Sequence, residues 1–257
     1  MSTETANGLR FTARTHIGCV RKLNEDAVLA VPELGVWVVA DGMGGHDAGD
    51  FASQSIVEAI AALPTDLSPG ELMQAVRVAI QNAHGAIQAE SAERGGVTIG
   101  ATVVALIIAG GHFVCLWAGD SRLYLCRHGQ LEMLSTDHSL VADLVEAGQL
   151  TWDEAEHHPQ SNAITRAVGV GETLEIDKVR GDVIPGDRFL LCSDGLTKYA
   201  DSATLQAQLS SGRIESLADD LIEIALKGGG ADNISVIVVE RPRDDEDTDA
   251  TLVGGVP

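Results

Sequence analysis

Runs of apolar, largely β-branched residues that stop at an aspartate constrain this chain more than any other feature. VWVVA, beginning at Val36, ends in Asp41, and Gly42, Gly44, Gly45 and His46 follow before helical spacing begins. FVCLWAG ends in Asp120, RFLLCS ends in Asp194, and Asp232 stands just ahead of NISVIVVE. Such runs read as buried strands, and the first of them delivers a carboxylate into a cramped, glycine-lined turn. Carboxylates gathered at the mouth of an apolar core lose hydration and repel one another, so they persist together only with protons or cations between them. Their recurrence predicts one shared site.

The remaining segments supply the frame. Residues 1–8 are polar and are expected to fray. LRFTARTHIG alternates as a strand, and CVRKLNEDAVLAVPE carries Arg21, Asn24, Glu25 and Asp26 across a turn into another short strand. From Ala48 the period becomes helical, with Ala52, Ile56, Ile60 and Leu63 on the same side until Pro64. Ser68, Pro69 and Glu71 form a capping-box start for a long helix to about Arg94, whose apolar stripe runs from Leu72 to Ile87.

GATVVALIIAG and HFVCLWAG, joined by Gly110 and Gly111, predict one hairpin, and SRLYLCR with LEMLS about the turn HGQ predicts a second. SLVADLVEAG is a short amphipathic helix ending at Gly148. LTWDEAEHHPQSN reads either as a solvated loop or as a flap beside a site. A strand around LEIDKVRGDV, the strand FLLCSD, the helices ATLQAQL and SLADDLIEIALK and the strand NISVIVVE complete residues 9–241, taken as one domain. The acidic residues 242–257 are expected to form a disordered tail. Hairpins, with helices confined to separate segments, predict an α+β fold and not a parallel βαβ sheet. Two antiparallel sheets packed face to face with helices outside satisfy the pattern.

A formal charge of -21 at pH 7 repels polyanions and anionic lipid, which argues against nucleic acid or membrane as partner. No segment reaches the ~18 uninterrupted apolar residues of a membrane span, so a cytoplasmic location is expected. Cys19, Cys115, Cys126 and Cys192 are scattered without metal-ligand spacing and read as buried free thiols. His138 is expected to be a hydrogen-bonded turn residue, and His157 and His158 lack a ligand partner at helical spacing.

If Asp41, Asp194 and Asp232 converge, their oxygens suit Mg²⁺ or Mn²⁺, which retain water and need few carboxylates. Gly42 can bring its carbonyl close to such an ion. Two ions about 4 Å apart can bridge and deprotonate a water while clamping phosphoryl oxygens for in-line displacement, so phosphate-ester hydrolysis is the reaction to expect. An acidic centre that admits a dianion needs a cationic fork nearby, for which Arg21 is the candidate. Glu25 and Asp26 would orient waters around the ions. His46 is placed to protonate a leaving alkoxide or to steer a water.

GCVRKLNEDA, VVADGMGGHDAGDFAS, GATVV, WAGDSRLYLCRHGQL, LSTDHSLV, NAITRAVG, GDRFLLCSDGL and ADNISVIVV, in that order, resemble the metal-dependent protein phosphatases of the PP2C class, in its bacterial branch. The resemblance spans roughly Arg10 to Glu240. It implies a four-layer αββα sandwich with two Mn²⁺ or Mg²⁺ ions between the sheets. The implied reaction is hydrolysis of phosphoserine and phosphothreonine by a metal-bridging water or hydroxide, without a covalent enzyme intermediate. Asp41 would be shared by both ions, with the Gly42 carbonyl, Asp194 and Asp232 as further ligands. Arg21 would bind substrate phosphate, and Asp26 would reach a metal through water with Glu25 beside it. A third, weaker metal would sit at Asp120 with Asp194. The resemblance departs at the acid: members that place a histidine directly after the DG pair have it where this chain has Met43, and His46 matches the alternative form. The leading expectation is a monomeric phosphatase that reverses the work of a bacterial serine/threonine kinase on phosphorylated serine and threonine proteins. The competing reading is a pseudophosphatase that binds phosphoproteins without turnover.

Overall fold

The computed structural model describes residues 3–4, 8–44, 48–151, 154, 158–160 and 163–243. Two antiparallel sheets form its centre. The first orders β1 (Thr3–Glu4), β2 (Arg10–His16), β12 (Ile234–Glu240), β11 (Arg188–Cys192), β8 (Arg122–Arg127) and β9 (Gln130–Met133). The second orders β10 (Asp177–Asp182), β7 (His112–Ala118), β6 (Val103–Ala109), β4 (Val36–Gly44) and β3 (Asp26–Val31), with β5 (Ile99–Ala101) added to the far end of β4.

The strands read as nearly continuous apolar runs because both faces of each sheet are covered. Along β4, Trp37 and Val39 face the space between the sheets, whereas Val36, Val38 and Ala40 pack under α1 (Ala48–Ala61) and α2 (Pro69–Glu93). Along β11, Phe189 and Leu191 point inward, and Leu190 and Cys192 lie under α5 (Ser202–Ser211) and α6 (Ile214–Gly228). Two helix-facing cores and one inter-sheet core make the four αββα layers.

Local chemistry sets the element ends. The Glu71 carboxylate accepts the Ser68 backbone N–H at 2.9 Å, as the capping box predicts. Gly110 and Gly111 adopt φ of 59° and 80°, the left-handed pair that a two-residue hairpin turn requires, and Ala109 pairs with His112 across it. Ser139 caps α3 (Leu140–Glu146) through Ala142 N–H.

Three expectations change. The strand through Asp41 does not end there: β4 continues to Gly44 because Gly42, Met43 and Gly44 pair with Ala101, Gly100 and Ile99. A side chain at Gly42 would run into the Gly49 and Glu25 carbonyls, so this glycine serves close packing of backbone on backbone. Thr3–Glu4, inside the stretch expected to fray, pairs with Phe11 and Arg10. Cys115, Cys126 and Cys192 are buried free thiols, but Cys19 is exposed, since its apolar neighbour Val20 belongs to a surface loop and not to the core. Most of the segment 150–162 and the chain beyond Arg243 lie outside the described residues.

Candidate active site

The carboxylates that follow the apolar runs meet at one end of the sandwich. Asp26 opens β3 directly opposite Asp41 on β4, which places two acids side by side across a ladder. Asp120 follows β7, Asp194 opens the single-turn helix α4 (Asp194–Thr197) after β11, and Asp232 precedes β12. Asp26, Asp120, Asp194 and Asp232 all raise the proton affinity of Asp41 by their charge, so the five acids form one electrostatic unit.

Backbone contacts fix this geometry. Gly42 N–H donates to the Glu25 carbonyl at 3.1 Å, and the Glu25 carboxylate accepts Gly49 N–H at 3.2 Å in the first turn of α1. Asn233 is a clamp that the sequence reading missed. Its Oδ1 accepts Glu25 N–H at 2.8 Å, and its Nδ2 donates to the carbonyls of Ile17 and Leu23 at 3.0 and 2.9 Å. The polar loop carrying Arg21 is thereby fastened to the residue after Asp232. Also missed were Ser193, whose hydroxyl donates to Asp26 Oδ2 at 2.9 Å, and Thr102, whose hydroxyl accepts Asp41 N–H at 3.2 Å. Small hydroxyl residues inside apolar runs give little sequence signal. His138 behaves as a turn residue should: Nδ1 accepts Gly119 N–H at 3.0 Å beside Asp120, and Nε2 faces Asp177 at 3.1 Å.

Two cations lie within the acidic group. Arg21 grips Asp232 with a fork, Nε to Oδ1 at 2.8 Å and Nη2 to Oδ2 at 2.9 Å. Lys198, which sequence reading did not single out, places Nζ 2.8 Å from Asp194 Oδ2 and 3.2 Å from Asp232 Oδ2. The i,i+4 spacing from Asp194 was its available signal. His46 lies outside the described residues.

The donor set fits a hard divalent cation. Asp26 Oδ1 and Asp194 Oδ1 are buried side-chain oxygens without a hydrogen-bond partner, a costly arrangement that a cation or ordered water would relieve. The acidic side chains of the site offer only oxygen donors. Among the described residues no three carboxylates already surround a common point, and the ammonium of Lys198 stands between two of them. A cavity of about 480 Å³ opens at the other end of the sandwich, lined by Leu34, Ile108, Gly110 and Arg241 and by none of these acids.

Burial, reinforced by Asp194 and Asp232, pushes the Asp26 carboxyl up to about 6. Burial with Asp194 and Asp137 nearby pushes Asp120 up to about 7. Asp41 is driven well above the carboxylate range by burial first and by its acidic neighbours second. Asp232 moves the opposite way: burial opposes its ionisation, but the Arg21 hydrogen bonds and Lys198 outweigh it. A raised carboxyl pKa means that the folded state binds more protons than the unfolded one, so stability falls as pH rises from the unfolded pKa through the folded one. Asp232 titrates below this window. Chelated protein is therefore expected to lose about 3 kcal/mol between pH 5.5 and pH 8 from Asp26 and Asp120 together. Thermal melts in EDTA at the two pH values check this, and equal stability would contradict it.

The model of the family described as protein phosphatase 2C matches residues 18–226. This chain belongs to the protein phosphatase 2C family. It is 39% identical over 233 residues to the serine/threonine protein phosphatase PstP of Mycobacterium tuberculosis, covering 90% of this chain and 45% of PstP, so it spans about half of that relative. Among solved structures it is similar to PppA, a key regulatory component of T6SS in Pseudomonas aeruginosa, with 44% identity, TM-score 0.84, and coverage of 90% of this chain and 97% of that one. The catalytic domain of PstP in complex with two manganese ions is likewise similar, with 37% identity, TM-score 0.82, and coverage of 90% and 97%. The family's two-sheet architecture is the one built here from burial and pairing. No described helix is long and apolar enough to cross a membrane.

Proposed function

We propose that the chain is a metal-dependent serine/threonine phosphatase that removes phosphate from phosphoserine and phosphothreonine in proteins. The observation that carries this reading is the convergence of Asp26, Asp41, Asp120, Asp194 and Asp232, with partnerless buried oxygens on Asp26 and Asp194. Asp41, Asp194, Asp232 and the Gly42 carbonyl would hold two Mn²⁺ or Mg²⁺ ions, with Asp120 and Asp194 available to a third. Manganese in the similar PstP domain supports the assignment. When bound, such a pair supplies an activated water at neutral pH and neutralises phosphoryl oxygens.

The chain's own residues do the rest. Arg21 sits at the rim, half exposed, with a planar fork that can exchange Asp232 for the phosphate of a substrate. Glu25 and Asp26 orient water, and Glu25 is itself fixed by the α1 amide of Gly49. His46 is proposed as the proton donor to the leaving serine or threonine oxygen. The phosphatase names of similar bacterial proteins support the reaction, and the physiological role we propose for it is to oppose a bacterial serine/threonine kinase in the cytoplasm, as a monomer.

Purified protein is expected to release phosphate from a phosphothreonine peptide with Mn²⁺ or Mg²⁺, to stop when chelated, and to resume on adding metal back. An Asp194→Ala variant should release none. Folded wild-type protein that releases no phosphate with either metal would overturn the enzymatic reading and leave a phosphoprotein-binding module.

A further inference from the structure

Lys198 is the feature of the centre that the proposed reaction leaves without a role. It follows the turn of α4, and its backbone N–H donates to the Asp194 carbonyl at 3.0 Å. The next residue, Tyr199, anchors the loop on the other side of the site by accepting Ala231 N–H on its hydroxyl at 3.0 Å, one residue before Asp232. The lysine stem is therefore held between the two carboxylates that its ammonium bridges, at 2.8 Å from Asp194 Oδ2 and 3.2 Å from Asp232 Oδ2. Both oxygens of Asp232 are then engaged by protein donors, Oδ1 by Arg21 and Asn233 N–H and Oδ2 by Arg21 and Lys198.

We propose that Lys198 is a tethered counter-cation that competes with divalent metal for Asp194 and Asp232 and so sets the metal affinity of the centre. This rests on the reading of those two aspartates as metal ligands. A lysine suits the task because its ammonium is a compact point charge on a flexible stem and makes no fixed fork. It draws two mutually repelling acids together in metal-free protein, and it can move aside when a divalent ion engages the same oxygens. Its charge opposes a second cation at any distance within the site. Lys198 is thus a positioning residue: it acts on the metal through the ligands.

The test is calorimetric titration of Mn²⁺ into chelator-treated full-length protein, wild type beside Lys198→Met, Lys198→Arg and Asp194→Asn. Removing the charge while keeping the stem should tighten Mn²⁺ binding by about tenfold or more, as loss of a close repulsive charge requires, while the arginine variant, which keeps the charge and adds a fork for the carboxylates, should bind Mn²⁺ no more tightly than wild type. Lys198→Gln answers the same question should the methionine variant fail to fold. A lysine with only a structural role would leave Mn²⁺ affinity unchanged or weaken it, and either result overturns the proposal. Failure of the ligand reading looks different: wild type would bind no Mn²⁺, or Asp194→Asn would bind it as well as wild type.

Discussion

Asp41→Asn is expected to lower Mn²⁺-dependent phosphate release from a phosphothreonine peptide by roughly 10³-fold or more, the scale of losing a group that acts only with its neighbours as a unit. The same change should raise the melting temperature of the chelated protein at pH 8. Asp41 is part-buried beside Asp26, Asp120, Asp194 and Asp232, and desolvation and these charges together oppose its ionisation. A neutral isostere removes that penalty, while the backbone bonds of the site, Asp41 N–H to Thr102 Oγ1 at 3.2 Å and Thr102 N–H to the Asp41 carbonyl at 2.9 Å, stay in place. A gain in metal-free stability with a loss of turnover is what a functional charge held against its own electrostatics produces. Retained turnover would remove Asp41 from the proposed centre. Loss of both turnover and stability would make it a structural acid.

Trp37→Ala is expected to destabilise the protein by about 3–5 kcal/mol, the usual cost of deleting a large buried aromatic, and to lower its melting temperature by roughly 10 °C for a chain of this size. Trp37 is fully buried in the middle layer, with the Phe11 ring 6.2 Å away and edge-on across from the other sheet. Its indole N–H is buried without a partner, so Trp37→Phe should cost less than its lost volume suggests, because it also removes an unsatisfied donor. Urea denaturation of the three proteins measures both differences. An alanine variant within 1 kcal/mol of wild type would mean that the two sheets close over the missing ring.

Much of the frame is legible from sequence because its determinants are local or repetitive. Burial on both faces makes β4, β6, β11 and β12 continuous apolar runs, glycine is the residue for the left-handed turn at positions 110–111, and Ser68 with Glu71 writes the start of α2 in four residues. The aspartates were legible for a related reason: an acid at the end of an apolar run contradicts the run, and the contradiction recurs at Asp41, Asp120 and Asp194. Asn233 and Lys198 carried no such contradiction. Asn233 is an ordinary turn amide until Ile17, Leu23 and Glu25 are brought against it, and Lys198 is an ordinary surface lysine until Asp232 meets Asp194.

The sequence by itself determined the layers, the hairpins and which acids follow apolar runs, since periodicity and turn chemistry act over a few residues. Only the tertiary structure decided that β4 runs on through Gly44 to pair with β5, that Cys19 is exposed, and which cation faces which acid. Those outcomes depend on approach between segments as far apart as Arg21 and Asp232, and Coulomb energy and desolvation are set by distance and enclosure in space, which order along the chain does not encode.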